Sequence, residues 1–125
     1  MANIKKVGQI AIAVSDVNVA KQFYCDVLGL ALLFDVLPAM AFIQAGDTRI
    51  MLTQLQGNEK DHHTSVIYYQ VDDIDSYANK LRDQEIDFEQ KPQLAAKMPD
   101  HELWLGFLRD PDNNLLAIMA EKPLG

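Results

Sequence analysis

Residues 12–23, "IAVSDVNVAKQF", read as the end of a strand, a capping aspartate and the first turns of an amphipathic helix. Residues 69–80, "YQVDDIDSYANK", read the same way, and the two segments align at a constant offset of 57 residues. Around the first, "VGQIAIAV" at 7–14 alternates, with Ile10, Ile12 and Val14 on one side and Gln9, Ala11 and Ala13 on the other. Asp16 offers an N-cap, and Ala20, Phe23, Tyr24, Val27 and Leu28 follow at helical spacing. Gly29 then suits a left-handed helix end. Strands are predicted at 31–37, 40–45 and 49–54, with "AGDT" turning between the last two.

The second half follows the same plan. "SVIYYQV" at 65–71 reads as a strand, and Asp73 caps a helix whose apolar stripe is Ile74, Tyr77, Ala78 and Leu81. Strands are expected at 87–93, 103–109 and 115–121, the last two joined by "DPDNN", where Asn113 or Asn114 can adopt a left-handed conformation. "TRIML" from Thr48 matches "NLLAI" from Asn114 at an offset of 66, so the second half carries nine extra residues. We assign them to "QLAAKMPDHE" at 93–102, expected to form a lid-like loop. Strand, helix and three strands thus occur twice, in a first module at 1–58 and a second at 62–125. Each half alone has too little core, so both are expected to pack into one domain of residues 1–125.

Composition excludes several functions. The 125-residue chain has 11 basic and 18 acidic residues and a net charge of −7, with no Lys/Arg cluster, which disfavours nucleic acid. That acidity suits a cationic or neutral ligand, weakly. A single cysteine, Cys25, excludes an internal disulfide, and no apolar run approaches a membrane span, so a cytoplasmic domain is expected. Cys25 lies beside the helix stripe without a histidine in the pattern and reads as a packed thiol.

"VGQIAIAVSDVNVAKQFYCDVLGL" resembles the opening of the vicinal oxygen chelate superfamily, the group of glyoxalase I, bleomycin-resistance proteins and extradiol dioxygenases. "WLGFLRDPDNNLLAIMAE" resembles its closing segment, with Asn113 where glycine is common. The resemblance implies an α+β fold of two βαβββ modules forming an incomplete barrel around a pocket, usually in a homodimer. It also implies metal ligands on the first and last strands of each module, at Gln9, Met51, Val66 and Ala117. Glutamine can ligate a divalent ion, but valine and alanine have no donor and a thioether is a poor partner for hard ions. No metal or other cofactor is therefore expected, which also puts glyoxalase, epimerase and dioxygenase chemistry in doubt.

Phe42, Met51, Thr53, Val66, Tyr68, Gln70, Trp104, Ala117 and Met119 are expected on or near pocket faces, where they would either line a ligand site or fill the barrel. His62 and His63, in "DHHTSV", read as a solvated pair before a strand or as rim groups. His101, with Glu102 or Glu121, is an acid–base candidate or a polar loop histidine, and Gln9 joins that catalytic set. Arg49 and Arg109 flank strand ends and either pair on the surface or meet an anionic ligand.

Two functions follow. The favoured one is a bleomycin-resistance-like protein without the usual metal, sequestering an amphipathic or aromatic small molecule. The alternative is a glyoxalase- or epimerase-like lyase or isomerase using a relocated metal or metal-free acid–base residues.

Overall fold

The computed structural model describes residues 4–55, 57–63 and 65–124. The chain divides into two compact units, Met1–Thr64 and Ser65–Gly125, each built on one four-stranded mixed sheet. Neither sheet closes on itself. The fold is α+β with the βαβββ order expected in each half.

In the first unit, β1 (Gln9–Ala13), α1 (Val17–Gln22), β2 (Ala31–Val36), β3 (Met40–Ala45) and β4 (Thr48–Thr53) give the strand order β1-β4-β3-β2. β1 and β4 are parallel, so the chain crosses over between them with its helix on one face. Asp16 caps that helix, its carboxylate accepting from the Val19 amide at 3.1 Å. The helix continues through a π-helical turn, Phe23–Val27, and the chain leaves it at Gly29, φ 92°. Val17, Ala20, Phe23, Tyr24 and Leu28 are buried, as are Ala41, Ile43, Ile50 and Leu52 of β3 and β4, against which α1 packs. Fully burying one such side chain contributes about 1.5–3 kcal/mol, so this layer holds the unit together. Asp35 of β2 is neutralised by Lys21 of α1 at 3.0 Å. A short 3-10 turn, Glu59–His62, follows, and His63 caps it.

In the second unit, β5 (Ile67–Gln70), α2 (Ile74–Asp83), β6 (Gln90–Lys97), β7 (His101–Arg109) and β8 (Leu115–Pro123) repeat the order as β5-β8-β7-β6. The repetition extends to single bonds. Val14 N–H donates to Thr53 C=O at 2.9 Å, and Val71 N–H donates to Met119 C=O at 2.8 Å. These donors are 57 residues apart and the acceptors 66, the two offsets read from the sequence. Likewise the Ser76 amide donates to the Asp73 carboxylate at 3.1 Å, the counterpart of Val19 and Asp16.

Two details depart from expectation, and a third was not anticipated. The strand expected at 65–71 is confined to 67–70. The stretch 93–102 is no lid: it lengthens β6 and β7 into a hairpin whose tip is closed by Met98 N–H donating to His101 C=O at 2.8 Å. Ladder hydrogen bonds satisfy its backbone, which an extended loop would leave to water. α2 ends without glycine: Glu85 takes φ 61°, with Glu85 N–H to Arg82 C=O at 2.9 Å and Ile86 N–H to Leu81 C=O at 2.9 Å. That pair of bonds is a Schellman ending, strong enough to hold glutamate in a conformation that favours glycine.

The β7–β8 turn is built on Asp110, which is 4% exposed. Its Oδ1 accepts from the amides of Asp112 and Asn114, both at 2.9 Å, and its Oδ2 accepts from the Asn114 side chain at 2.9 Å. Asn113 takes the left-handed position, φ 68°. Asp110→Ala would remove the acceptor of two part-buried amide donors, and it is expected to cost about 1–3 kcal/mol. A lowered urea midpoint at unchanged slope is the measurement that checks this; an unchanged midpoint would show that the turn does not depend on the carboxylate.

Tyr69 carries the opposite imbalance. Its hydroxyl is buried without a hydrogen-bond partner among the described residues. Burial, then Asp110 and Tyr77, pushes its ionisation well above the ordinary tyrosine range, and burial pushes Tyr77 up to about 12. The unfolded chain releases these protons from about pH 10 while the folded chain keeps them, so stability falls as pH rises past 10. Tyr69→Phe removes an unsatisfied group, and the neutral-pH unfolding free energy should stay level or rise by up to about 1 kcal/mol. Its alkaline decline should be shallower than the parent's in paired urea titrations; a loss exceeding about 1 kcal/mol would mean that the hydroxyl has a partner.

Candidate functional site

Each sheet has one face under its helix and one face open, and strand register assigns every residue to one or the other. In the first unit Ile10, Ile12, Ile50, Leu52, Ala41 and Ile43 share the helix face. The open face presents Gln9, Ala11 and Ala13 of β1, Arg49, Met51 and Thr53 of β4, Met40, Phe42 and Gln44 of β3, and Phe34 of β2. Gln9, Met51, Phe42 and Thr53 therefore share one face of the sheet, where Thr53 is buried.

That surface is a connected set of contacts. Arg49 Nε donates to Gln9 Oε1 at 2.8 Å, and Gln9 Nε2 lies 3.7 Å from Met51 Sδ. The Arg49 guanidinium carbon sits 5.4 Å from the Phe42 ring centroid, a cation–π distance. Phe42 stacks on Phe34, centroids 4.6 Å apart and planes at 27°. Phe34 remains 51% exposed, so a large apolar ring surface stays open at the end of the row. Phe34 was missed in the sequence because nothing in "ALLFDV" marks which side of an exposed edge strand each residue takes. Its pairing with Phe42 across a register shift decides it.

In the second unit the open face holds Tyr68 and Gln70 of β5, Ala117, Met119 and Glu121 of β8, and His101, Leu103, Leu105 and Phe107 of β7. Tyr68, Ala117 and Phe107 form one row, and the two rings meet edge to face at 6.0 Å across Ala117, which is fully buried. Phe107 was not among the expected residues, although it occupies the place in this row that Phe42 has in the first sheet. Val66 precedes β5 and is 38% exposed.

Two expected residues lie elsewhere. Trp104 pairs with Ala120 and Glu102 with Lys122, which puts both on the helix face. There Lys122 sits 4.0 Å from the Trp104 ring, the indole N–H donates to Glu102 at 3.1 Å, and Lys122 reaches Asp75 of α2 at 2.9 Å. Trp104 thus anchors the helix side and does not line the open face, and Glu102 is no partner for His101. The cause is parity: the Asp110 turn pairs Arg109 with Leu115, which fixes every residue of β7 against β8.

His101 does meet Glu121, with Nε2 3.7 Å from a carboxylate oxygen, and its Nδ1 is 2.7 Å from Asp100. This is a histidine held between two carboxylates at a hairpin tip. His62 is half-buried in the 3-10 turn and His63 is exposed, both in the first unit. Arg109 is committed to Glu89 at 3.3 Å and to the Asn113 carbonyl at 3.1 Å. Cys25 lies in the π-helical turn, where burial, then Asp26, pushes its thiol up; that environment keeps it protonated and unreactive.

No group of three or more His, Cys, Asp or Glu side chains among the described residues is placed to hold a metal ion. No helix among them is long and apolar enough to cross a membrane.

A family model described as the Glyoxalase/Bleomycin resistance protein/Dioxygenase superfamily matches residues 6–118. Similar solved structures include lactoylglutathione lyase from Agrobacterium tumefaciens, 18% identical over 94% of this chain and 95% of that one, TM-score 0.74. TnmS3, an antibiotic binding protein from Streptomyces sp. CB03234, is 22% identical over 98% of this chain and all of that one, TM-score 0.74. A glyoxalase/bleomycin resistance protein/dioxygenase from Alicyclobacillus acidocaldarius is 21% identical over 97% and 95%, TM-score 0.71. At such identities the likeness is one of fold. No curated protein sequence matches the chain. With both sheets in the order that the βαβββ repeat demands and the family's pattern running through nearly all of the sequence, this chain belongs to the glyoxalase/bleomycin resistance protein/dioxygenase superfamily.

Proposed function

We propose that this chain is a small-molecule-binding member of the superfamily that works without the usual divalent metal, holding an amphipathic or aromatic compound against an open sheet face in a resistance or sequestration role. The observation that carries the reading is the Arg49–Gln9 bond at 2.8 Å. Gln9 is the one residue with a suitable oxygen among the positions assigned to metal ligands, and that oxygen already faces a guanidinium. A cation there repels a divalent ion from the same lone pairs. Met51 offers only a thioether, Val66 has no donor, and Ala117 lies where Tyr68 and Phe107 meet. The apolar rows around Phe34, Phe42 and Met51 and around Tyr68 and Phe107 supply the contact area such a ligand needs. TnmS3, of the same fold, is an antibiotic binding protein.

A second reading, a metal-free acid–base lyase or isomerase, has one supporting observation: His101 lies between Asp100 and Glu121 at 2.7 and 3.7 Å. The two readings separate in a thermal-shift panel of aromatic compounds run with chelator and with added Ni, Zn or Mn. Binding without turnover predicts stabilisation by a subset of compounds, amounting to about 2.7 kcal/mol at a hundredfold excess over Kd and insensitive to chelator. Uniform absence of stabilisation, or a stoichiometric metal whose removal abolishes binding, would overturn it. Turnover lost on His101→Ala would favour the enzyme.

A further inference from the structure

The chain carries a net charge of −7, yet the open face of its first sheet has no acidic residue. Its twelve register positions hold Gln9, Ala11, Ala13, Ala31, Phe34, Val36, Met40, Phe42, Gln44, Arg49, Met51 and Thr53. Asp35, the acid of β2, pairs with Ala41 and so belongs to the helix face, where Lys21 neutralises it. The charge on the open face is that of Arg49 alone.

Arg49 is exposed and, like Arg82, which donates to the Asn79 side-chain oxygen at 2.8 Å, is held by an amide oxygen where other cations meet a carboxylate. Lys21, Arg109 and Lys122 each meet a carboxylate, at 3.0, 3.3 and 2.9 Å. Arg49 meets none among the described residues: Gln9 holds its Nε, Phe42 lies against it, and its two terminal Nη groups have no hydrogen-bond partner among those residues. A guanidinium fixed at Nε and stacked on a ring has lost much of its freedom, and its remaining N–H pair forms a fork that matches a planar oxyanion. Beside it runs the Phe42–Phe34 stack, ending in the exposed surface of Phe34.

We propose that this face selects a flat aromatic molecule bearing a carboxylate or an equivalent planar anion, with Arg49 as the specificity-determining residue. The anion takes the Nη fork, and the ring lies along Phe42 and Phe34. Gln9 acts as a positioning residue through its bond to Nε. The inference rests on the small-molecule-binding reading above and refines it from aromatic to aromatic and anionic. It reverses the ligand charge that the overall composition favours, because selection depends on the charges within about a Debye length, roughly 8–10 Å, of the ligand.

The test uses three probes of one shape: naphthoate, its neutral amide, and naphthylmethylammonium, each titrated into the full-length protein by calorimetry. Naphthoate should bind about tenfold tighter than the amide, and the ammonium weakest, as one charge-assisted pair on a partly desolvated surface requires. Arg49→Met should weaken naphthoate far more than the amide and so abolish the preference, and Arg49→Lys should restore part of it. Phe34→Ala should weaken all three probes alike. Equal binding of the three, or a carboxylate preference that survives in Arg49→Met, overturns the inference but leaves small-molecule binding standing. Binding by none of them overturns both.

Discussion

The parallel pairing of the first and last strands in each unit is the constraint on which everything else depends. β1 pairs with β4 and β5 with β8 in the same direction, so the chain must cross over the sheet before it can return. The crossover carries the helix, and the helix covers the centre of one face, burying Ile50, Leu52, Ala41 and Ile43 in the first unit. The meander that follows fills the sheet in the order β1-β4-β3-β2 and leaves the other face uncovered within the unit. Core and candidate site are thus two sides of a single layer. A residue's role follows from whether its number is odd or even along its strand.

This parity explains what could be read from the sequence. Asp16 and Asp73 announced both helix starts because a side-chain acceptor directly before an apolar stripe has one common use. Gly29 and Asn113 were legible for the same local reason, each being suited to positive φ. The offsets of 57 and 66 relate the observed pair Ala11 with Met51 to the pair Tyr68 with Ala117. Trp104 and Glu102 escaped because their face depends on the Asp110 turn, which sets the register for a whole strand. The Schellman ending at Glu85 escaped because no local signal distinguishes a glutamate that tolerates it. The Arg49–Gln9 bond joins neighbours across strands 40 residues apart, visible only after β1 and β4 are paired.

The two open faces are built by a trade of volumes within one row. In the first sheet the row runs Ala11, Met51, Phe42 and Phe34, with the small residue on β1. In the second it runs Tyr68, Ala117 and Phe107, with the small residue on β8. Aromatic area is preserved while its position along the row moves. Duplicated modules can in this way keep one backbone and present differently shaped surfaces, since most positions on an open face escape the packing constraint that governs the helix side, the buried Thr53 and Ala117 excepted. The acidic residues that give the chain its net charge are correspondingly absent from the aromatic part of the first face.

The lengthened hairpin β6–β7 shows where this architecture can grow. Added residues in an antiparallel ladder enter opposite one another, one on each strand, so an even number extends the hairpin without turning any side chain over. The nine-residue excess of the second half is odd, and β6 carries register shifts at Gln90/Gln93 and Leu94/Ala96 where β2 carries one at Leu32/Phe34. An unpaired residue at a bulge absorbs the odd count locally. The parallel pair beyond it keeps its alignment, from Ile67 with Leu116 to Gln70 with Met119. The hairpin therefore behaves as an adjustable arm on a fixed frame: its tip, with His101, can be moved outward in steps of about 3.4 Å per residue while the rows nearer the turn stay in place.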